Sequence, residues 1–471
     1  MKLLITPKPE KDEGFISYLV RLTEANAYDT PSWILSLSNI DYMELQWKFS
    51  FVFCHSDGLN KLAKLTGALL SELTSLLYLP ANLIERPGIE DEYNFYGAFL
   101  NRSIIRPHWP KVCPTCLIDF GYCRRVWDCS LVTACPLHEC LLLDSCPKCR
   151  RRIKSVRKNL SICSCGCDWR EIDPQFLSAR ELAVSRRIYQ LCGLLPKTPQ
   201  EENENPLQSL GLRDFVVVLT FISGVVRNIA WATGRPSKSI NLRNKDLHQL
   251  YSQAYSVFEK WPHSFHQFLS KQSRGRVRLS PDDGKLGSAL QKEFGPLYEH
   301  LYQDLDGPQF EFMRKSFAEF LTARLKSQCQ EARSERLSLN SDGTDKYISM
   351  AQARRLLRIS HRAMSDLIAA GEVGFVIRNH GTTLECVLPL SDVENVKCKF
   401  EQSLSTRDLA RELGVDCEAV RELARAGHLR TRWRPAVDGY HTIKFDRESA
   451  QELLNGGLIP TDSGRNPAVL P

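Results

Sequence analysis

Residues 112–170 of the chain read VCPTCLIDFGYCRRVWDCSLVTACPLHECLLLDSCPKCRRRIKSVRKNLSICSCGCDWR. Near the start of this stretch, Cys113-Pro-Thr-Cys116 is followed, after 18 intervening residues, by Cys135-Pro-Leu-His138. Two Cys/His pairs with two-residue spacers, joined by a loop of this size, supply the four ligands of a tetrahedral zinc site. The stretch therefore predicts one ion bound by Cys113, Cys116, Cys135 and His138.

A second site, with four thiolate ligands, is predicted directly afterwards. Its first pair is Cys146-Pro-Lys-Cys149, and its second pair comes from the run Cys163-Ser-Cys165-Gly-Cys167. This run offers three thiols for two places. We favour Cys163 and Cys165 because Gly166 allows a tight backbone turn, and Cys167 is the alternative. Neither site leaves a ligand position open, so we expect two structural zinc ions.

The distribution of cysteine also favours metal binding. The chain has 17 cysteines, and 11 of them lie between residues 101 and 170. An odd total without a secretory signal argues against a disulfide framework. The alternative is that the thiols carry no metal and are either buried or redox-active. Cys123, Cys129 and Cys140 have no partner at ligand spacing, and we expect them to lie in the core.

The same stretch is basic. Residues 101–170 hold 13 Lys and Arg against 5 Asp and Glu, whereas the whole chain carries a net charge of +7. Six cations lie on the loop inside the second site, where they can meet a phosphate backbone or, equally well, an acidic protein face. The DNA-binding candidates on this loop are Arg150, Arg151, Arg152 and Lys154.

Composition excludes several classes of protein. The chain has 471 residues, of which 43% are hydrophobic and 25% charged, and this profile excludes wholesale disorder and collagen-like repetition. No apolar run approaches the 18 or so residues that span a bilayer. The best candidate, residues 215–226, predicts a buried helix. Because the N-terminus has no signal-peptide pattern, we expect a cytoplasmic protein.

Helical periodicity dominates the rest of the chain. Phe15, Tyr18, Leu19 and Leu22 recur at helical spacing and predict a helical N-terminal domain. Gly67 marks a turn between two further helices. Residues 175–195 and 210–320 are also mostly helical in pattern, and a polar, turn-rich linker is predicted at residues 332–346.

The C-terminal part contains an internal repeat. SMAQARRLLRISHRAMSDLIAAGEV at residues 349–373 aligns without a gap to STRDLARELGVDCEAVRELARAGHL at residues 405–429, an offset of 56. Each copy predicts a first helix after a Ser N-cap, a short turn, and a second helix that begins at Ser360 or Asp416. A Gly and a hydrophobic residue then lead to a predicted β-wing. This order is typical of a winged helix-turn-helix.

In such a module, exposed residues of the second helix read bases and the wing meets phosphate. The DNA-binding candidates of the first copy are His361, Arg362, Ser365 and Arg378. Those of the second copy are Arg421, Arg425, Arg430, Arg432 and Arg434. Winged helices also dock on proteins. The second copy's recognition helix carries as many acids as bases, which weakens the prediction that this helix binds DNA.

The chain offers no persuasive catalytic set. A zinc deaminase needs a His-x-Glu upstream of its Cys pair, and no such element precedes Cys113. The patterns of a phosphate-binding Gly-rich loop, a Ser nucleophile elbow and a His-Glu-x-x-His helix are also missing. We therefore expect a protein that is not an enzyme.

These motifs together resemble the TniQ/TnsD family of transposon target-selection proteins. The N-terminal match is Pro7-Lys-Pro9 and then EGFISYLVRLTEAN, where Glu13, Ser17, Arg21 and Asn26 fit the family's opening signature. The stronger match runs from Pro107 to Arg170 and includes Trp127. The sequence departs from the family at Arg150, where Gly is usual, and at Cys167.

The resemblance implies a bacterial protein that binds a target (attachment-site) duplex by sequence and recruits an AAA+ transposition regulator. The alternative is an adaptor that docks on a CRISPR RNA-guided effector complex and does not read DNA sequence itself. The paired modules favour the first. The expected fold is mainly α and multidomain, with a TniQ-like domain at 1–105, zinc modules at 106–170, a helical domain at 171–335 and winged modules at 346–400 and 401–460.

Overall fold

In the computed structural model the chain forms two compact units, Met1–Phe268 and Leu269–Pro471. The structure describes residues 2–40, 56–79, 92–196, 205–227, 242–274, 286–330, 346–380, 383–433 and 443–455. Helices dominate these ranges, as a mainly α fold requires. No helix within them is both long and apolar enough to cross a bilayer.

The first unit combines helices with two small hairpins. The helices that begin in it are α1 (Phe15–Ala25), α2 (Ser32–Leu37), α3 (Ser56–Thr66), α4 (Leu70–Ser75), α5 (Pro114–Asp119), α6 (Ala179–Leu191), α7 (Leu212–Val226), α8 (Asn244–Ser256) and α9 (His263–Gln272). The antiparallel hairpins are β1 (Glu92–Phe95) with β2 (Ala98–Asn101) and β3 (Ala134–Cys135) with β4 (Cys140–Leu141).

Helices α1 to α4 lie where the sequence predicts helices, and they share one apolar core. The predicted stripe on α1, from Phe15 to Leu22, is buried there with Leu62 of α3 and Leu73 of α4. The predicted turn between α3 and α4 is also confirmed. Gly67 adopts a φ of +75° there, a conformation that glycine reaches without steric cost.

A buried carboxylate lies beside this core. One Glu13 oxygen accepts a hydrogen bond from the Ser17 hydroxyl at 2.8 Å, and the other pairs with the Arg21 guanidinium at 2.6 Å. The Glu13 side chain has no exposed surface. Burial raises the pKa of Glu13 to about 7, and the charge of Arg21 opposes that rise. Three residues of the family-like opening signature thus form one hydrogen-bonded group.

The segment before α1 joins the cysteine-rich stretch. The amide of Gly14 donates to the carbonyl of Cys123 at 3.3 Å, and the amide of Arg125 donates to the carbonyl of Asp12 at 2.8 Å. The Ser17 hydroxyl accepts a hydrogen bond from the amide of Cys123 at 2.9 Å. The N-terminal helices are therefore hydrogen-bonded to the segment that separates the two halves of the first predicted zinc site.

Sequence periodicity does not anticipate hairpin β1/β2. Its turn is Tyr96-Gly97, and both residues have positive φ, +51° and +85°. Two consecutive residues of this kind make the turn whose twist matches an antiparallel pair. The four-residue strands are too short for their alternation to be distinguished from helical spacing.

The second unit contains helices followed by two mixed modules. Its helices are α10 (Leu286–Phe294), α11 (Pro296–Gln303), α12 (Glu311–Gln330), α13 (Met350–Leu357), α14 (His361–Ala369), α15 (Leu390–Glu401), α16 (Thr406–Leu413), α17 (Cys417–Arg425) and α18 (Arg447–Asn455). Its strands are β5 (Tyr347–Ser349), β6 (Val376–His380), β7 (Thr383–Pro389), β8 (Ser403–Ser405), β9 (Thr431–Trp433) and β10 (Lys444–Asp446). Residues 331–345, which hold most of the predicted linker, lie outside the described ranges.

The sequence repeat is also a structural repeat. Each copy runs strand, helix, helix, strand, strand, helix, and its three strands form an antiparallel sheet with the third strand in the middle, in the orders β5-β7-β6 and β8-β10-β9. The first two helices of the copies begin and end at positions that differ by the offset of 56. Two equivalent modules therefore lie in series.

The predicted helix caps are confirmed in both copies. Ser349 and Ser405 accept hydrogen bonds from the amides of the third residue of α13 and α16, at 3.3 and 3.2 Å. Ser360 and Asp416 cap α14 and α17 in the same way, at 3.2 and 2.7 Å. These bonds satisfy amides that the first helical turn leaves without a partner.

Glu13→Ala tests the buried carboxylate. The substitution leaves the Arg21 guanidinium and the Ser17 hydroxyl without their shared acceptor, and breaking a partly buried ion pair in this way costs about 3 kcal/mol or more. We expect the free energy of unfolding, measured by chemical denaturation with saturating zinc, to fall by that amount. Glu10→Ala, which truncates an exposed carboxylate one turn earlier, is the control. Equal stability of the two variants would show that the network contributes little.

Candidate metal centres and nucleic-acid interface

The first predicted ligand set is assembled by helix α5 and hairpin β3/β4. Cys113 caps α5 and Cys116 lies in its first turn, while Cys135 ends β3 and His138 lies in the turn to β4. The ligand atoms of these four residues all lie within 4.8 Å of one another. The His138 Nδ1 is 3.4 Å from the Cys113 Sγ, 3.2 Å from the Cys116 Sγ and 3.6 Å from the Cys135 Sγ.

These distances fit a single ion. With Zn–S bonds of about 2.3 Å and Zn–N bonds of about 2.0 Å, tetrahedral geometry places two sulfurs about 3.8 Å apart and a sulfur and nitrogen about 3.5 Å apart. The Cys116 and Cys135 sulfurs are 3.7 Å apart. Three thiols and an imidazole in this arrangement could hold a metal ion, with a donor set that suits zinc.

Asp119 supports the first site, and sequence analysis missed it. The His138 Nε2 donates to the Asp119 carboxylate at 2.8 Å, so the Nδ1 is left to face the thiols. A carboxylate in this position fixes the tautomer and orientation of a metal-binding imidazole. The available signal was position, because Asp119 ends the helix that the first Cys pair begins.

A fifth thiol adjoins the first site. The Cys140 Sγ lies 3.6 Å from the Cys113 Sγ and is fully buried. Sequence spacing places Cys140 in the core, which burial confirms, but spacing does not reveal its contact with a ligand. Trp127, also buried, donates from its indole to the Tyr189 hydroxyl at 2.7 Å and so anchors the segment between the ligand pairs to α6.

The second ligand set is assembled from loops. The Cys146 and Cys165 sulfurs are 3.7 Å apart, and so are the Cys149 and Cys163 sulfurs. All four ligand atoms lie within 4.8 Å of one another, so this group could also hold a metal ion. Gly166 forms the expected tight turn with a φ of +82°.

Arg150 has a strained backbone in the second site. Its φ is +59°, in the left-handed region, and its amide donates to the Cys146 carbonyl at 2.8 Å. A side chain in this region clashes with its own backbone, whereas glycine does not. The residue at which the sequence departs from the family pattern is therefore a position that favours glycine.

The basic loop is not uniformly available to a partner. Arg150, Arg151 and Lys154 are exposed, but Arg152 is half-buried, with its guanidinium 4.1 Å from the centroid of the Trp109 ring. Arg157 donates to the Leu160 carbonyl and stabilises the loop itself. Three of the four DNA-binding candidates on this loop thus project into solvent.

The candidates of the first repeated module lie on α14 and β6. His361 and Arg362 are exposed at the start of α14, and Ser365 is half-buried one turn later. Arg378 is exposed on β6, with its guanidinium 3.7 Å from the centroid of the Tyr347 ring. Helix α14 buries Met364 and Leu367, so His361 and Arg362 lie on its exposed side.

In the second module an acid lies among the candidates. Glu418 pairs with Arg421 at 2.6 Å and with Arg425 at 3.3 Å, and all three side chains are exposed on α17. Arg430 is exposed just before β9. Arg432 lies in β9, although its side chain is outside the described set, and Arg434 lies outside the described residues.

Asp119→Ala should weaken the first centre alone. Loss of a carboxylate that orients a ligating imidazole lowers metal affinity about 10- to 100-fold. We expect competition with a chromogenic chelator to release one of two bound zinc ions at correspondingly lower chelator concentration. Asp173→Ala, the same change at an exposed carboxylate of this unit, should leave both ions unchanged. Unaltered release from Asp119→Ala would exclude a supporting role for this residue.

Arg150→Gly should stabilise the protein. Glycine relieves the left-handed strain, which is worth roughly 1 kcal/mol after its larger unfolded-state entropy is counted. Arg151→Gly is the matched control, because Arg151 has no positive φ and the change should destabilise by about 0.5–1 kcal/mol. Thermal unfolding with saturating zinc measures both. A lower midpoint for Arg150→Gly than for the unaltered chain would contradict the strain argument.

Comparison with known proteins identifies the N-terminal part of the chain. Residues 4–142 match the family model described as TniQ. No curated protein matches the chain. The match includes the helical core of α1 to α4 and the whole first ligand set, and it ends before the second set begins. Residues 4–142 of the chain therefore form a TniQ domain, which supports a role associated with transposition.

Proposed function

We propose that this protein selects the target site in DNA transposition. It binds an attachment-site duplex by sequence through its two C-terminal modules, as winged helix-turn-helix readers, and recruits an AAA+ transposition regulator. It has no catalytic activity of its own. The TniQ match supports the transposition role, and the recruitment of the regulator rests on the family resemblance.

The structural repeat is the observation that carries the proposal. Two modules share their element order, their capped helices and their sheet order at a fixed offset of 56 residues. In helix-turn-helix readers the second helix enters the major groove, and two such units in series read two groove segments. Helix α14 and helix α17 are the second helices of their modules, and each presents arginine on its exposed face.

The two metal centres have a structural part in this function. Each group supplies four protein ligands, which is the full number for tetrahedral zinc. Bound zinc would fix the geometry of loops that contain little regular secondary structure. The exposed cations Arg150, Arg151 and Lys154 then add sequence-independent attraction to the phosphate backbone.

One observation favours a different function for the second module. Glu418 pairs with both Arg421 and Arg425, offsets one of their two positive charges, and places a carboxylate in the middle of the face that would enter the groove. A carboxylate there repels phosphate and accepts hydrogen bonds from few base edges. In the second candidate function the chain is an adaptor, and α17 docks on a protein such as a CRISPR RNA-guided effector.

Selection from a random duplex library, followed by footprinting, tests the proposal. We expect the full chain to enrich one sequence and to protect it at nanomolar concentration. Glu418→Gln should then tighten binding to every duplex, because two arginines lose their intramolecular partner. The slope of log affinity against log salt concentration should steepen by the amount that about one to two additional phosphate contacts produce.

Glu412→Gln is the matched control, because Glu412 faces Arg447 at 3.7 Å and lies on α16. This change should leave both affinity and salt dependence unaltered. Failure to enrich any sequence, with Glu418→Gln indistinguishable from Glu412→Gln, would reject the DNA reader and select the adaptor.

A further inference from the structure

The first unit contains a cavity that neither the metal centres nor the repeated modules use. Its volume is about 570 Å³, within the range of sites for small molecules. Residues 106–111, the basic loop at 151–156 and the start of helix α8 form its walls. It therefore lies beside the second metal centre, next to residues 151–156 of the basic loop.

The aromatic wall of the cavity is already arranged for stacking. The Arg152 guanidinium lies 4.1 Å from the Trp109 ring centroid, and the Arg106 guanidinium lies 5.9 Å from it. Arg152 also donates to the Leu242 carbonyl at 3.3 Å, which holds the guanidinium in place. Guanidinium planes and aromatic rings are the surfaces on which unstacked bases pack in nucleic-acid-binding proteins.

The charge of the cavity is positive. Arg151 and Lys154 line it and are exposed. Asp144 is the one acidic residue among the residues that line it. Its two oxygens accept hydrogen bonds from the Asn244 amide at 3.0 Å and the Ser145 hydroxyl at 3.1 Å, so it caps helix α8. The cavity therefore attracts anions.

Asn244 fixes the inner wall of the cavity. Its side chain is buried, and its Nδ2 donates to the carbonyls of Thr133 at 2.7 Å and Leu142 at 2.8 Å. Its Oδ1 has no hydrogen-bond partner among the residues that the structure describes. This oxygen is also closed to solvent, so Asn244 acts through its two carbonyl contacts, which hold the start of helix α8 against the metal-binding stretch.

We propose that this cavity binds one nucleotide, with its phosphate at Arg151 and Lys154 and its base on the stacked wall. The nucleotide comes either from a nucleic-acid strand, as one unstacked unit, or from the free pool. The proposal extends the nucleic-acid binding proposed above. It rests on that proposed function only where the nucleotide belongs to a nucleic-acid strand.

Titration calorimetry on the full, zinc-loaded chain tests the site with four probes. These are AMP, CMP, inorganic phosphate, and a single-stranded oligonucleotide of eight residues. We expect AMP and CMP to bind with one site per chain, about tenfold or more tighter than inorganic phosphate, because stacking adds to the charge attraction. Tight binding of the oligonucleotide with weak binding of AMP identifies a strand as the source, and the reverse identifies the free nucleotide.

Variants locate the site. Combined Arg151→Ala and Lys154→Ala should weaken AMP binding about tenfold or more, since two charge-assisted contacts are lost. Lys148→Ala is the matched control, because Lys148 is exposed near the same loop and does not line the cavity. Trp109→Leu should bring AMP affinity down to that of phosphate while leaving phosphate binding unchanged.

Three outcomes overturn the proposal. They are equal affinity for AMP and inorganic phosphate, an equal effect of the double variant and Lys148→Ala, and preferential binding of an acidic peptide such as a glutamate heptamer. Duplex selection with the unaltered chain separates this result from the proposed function. Enriched duplex sequence without AMP or oligonucleotide binding rejects the cavity alone, and nucleotide binding without duplex enrichment rejects the DNA reader alone.

Discussion

Seven thiols and one imidazole, gathered in two groups within 4.8 Å, constrain the first unit more than any other feature. Between residues 113 and 167 the chain forms one six-residue helix, one short 3-10 turn and two strands of two residues. Such short elements cannot hold a chain segment through backbone hydrogen bonds alone. Metal coordination is the interaction that can replace them, since its binding free energy becomes folding free energy.

The helical core and the metal-binding stretch depend on each other. Hydrogen bonds join Asp12 and Gly14 to Arg125 and Cys123, and Ser17 links the Glu13 network to the same segment. This coupling explains why one family match can extend across both, from residue 4 to residue 142. The division of the chain into five segments treats these parts as separate, and it stays a prediction.

Sequence reasoning worked where the chemistry is local. Ligand spacing predicted both groups of ligands, and capping residues predicted helix starts such as Ser360, because one side chain and its nearest neighbours decide each. It failed where distant segments meet. The contact of Asp119 with His138, the approach of Cys140 to Cys113 and the ion pairs of Glu418 depend on side-chain direction in the folded chain. Hairpin β1/β2 was missed because strands of four residues carry too little pattern.

The account requires that both metal groups hold zinc and that no ligand position is open to solvent. X-ray absorption at the zinc edge of the purified chain tests this requirement most directly. The account predicts two zinc ions per chain that share seven sulfur neighbours at about 2.3 Å and one nitrogen at about 2.0 Å. Fewer than two ions, or oxygen neighbours from solvent in the first coordination shell, would contradict it.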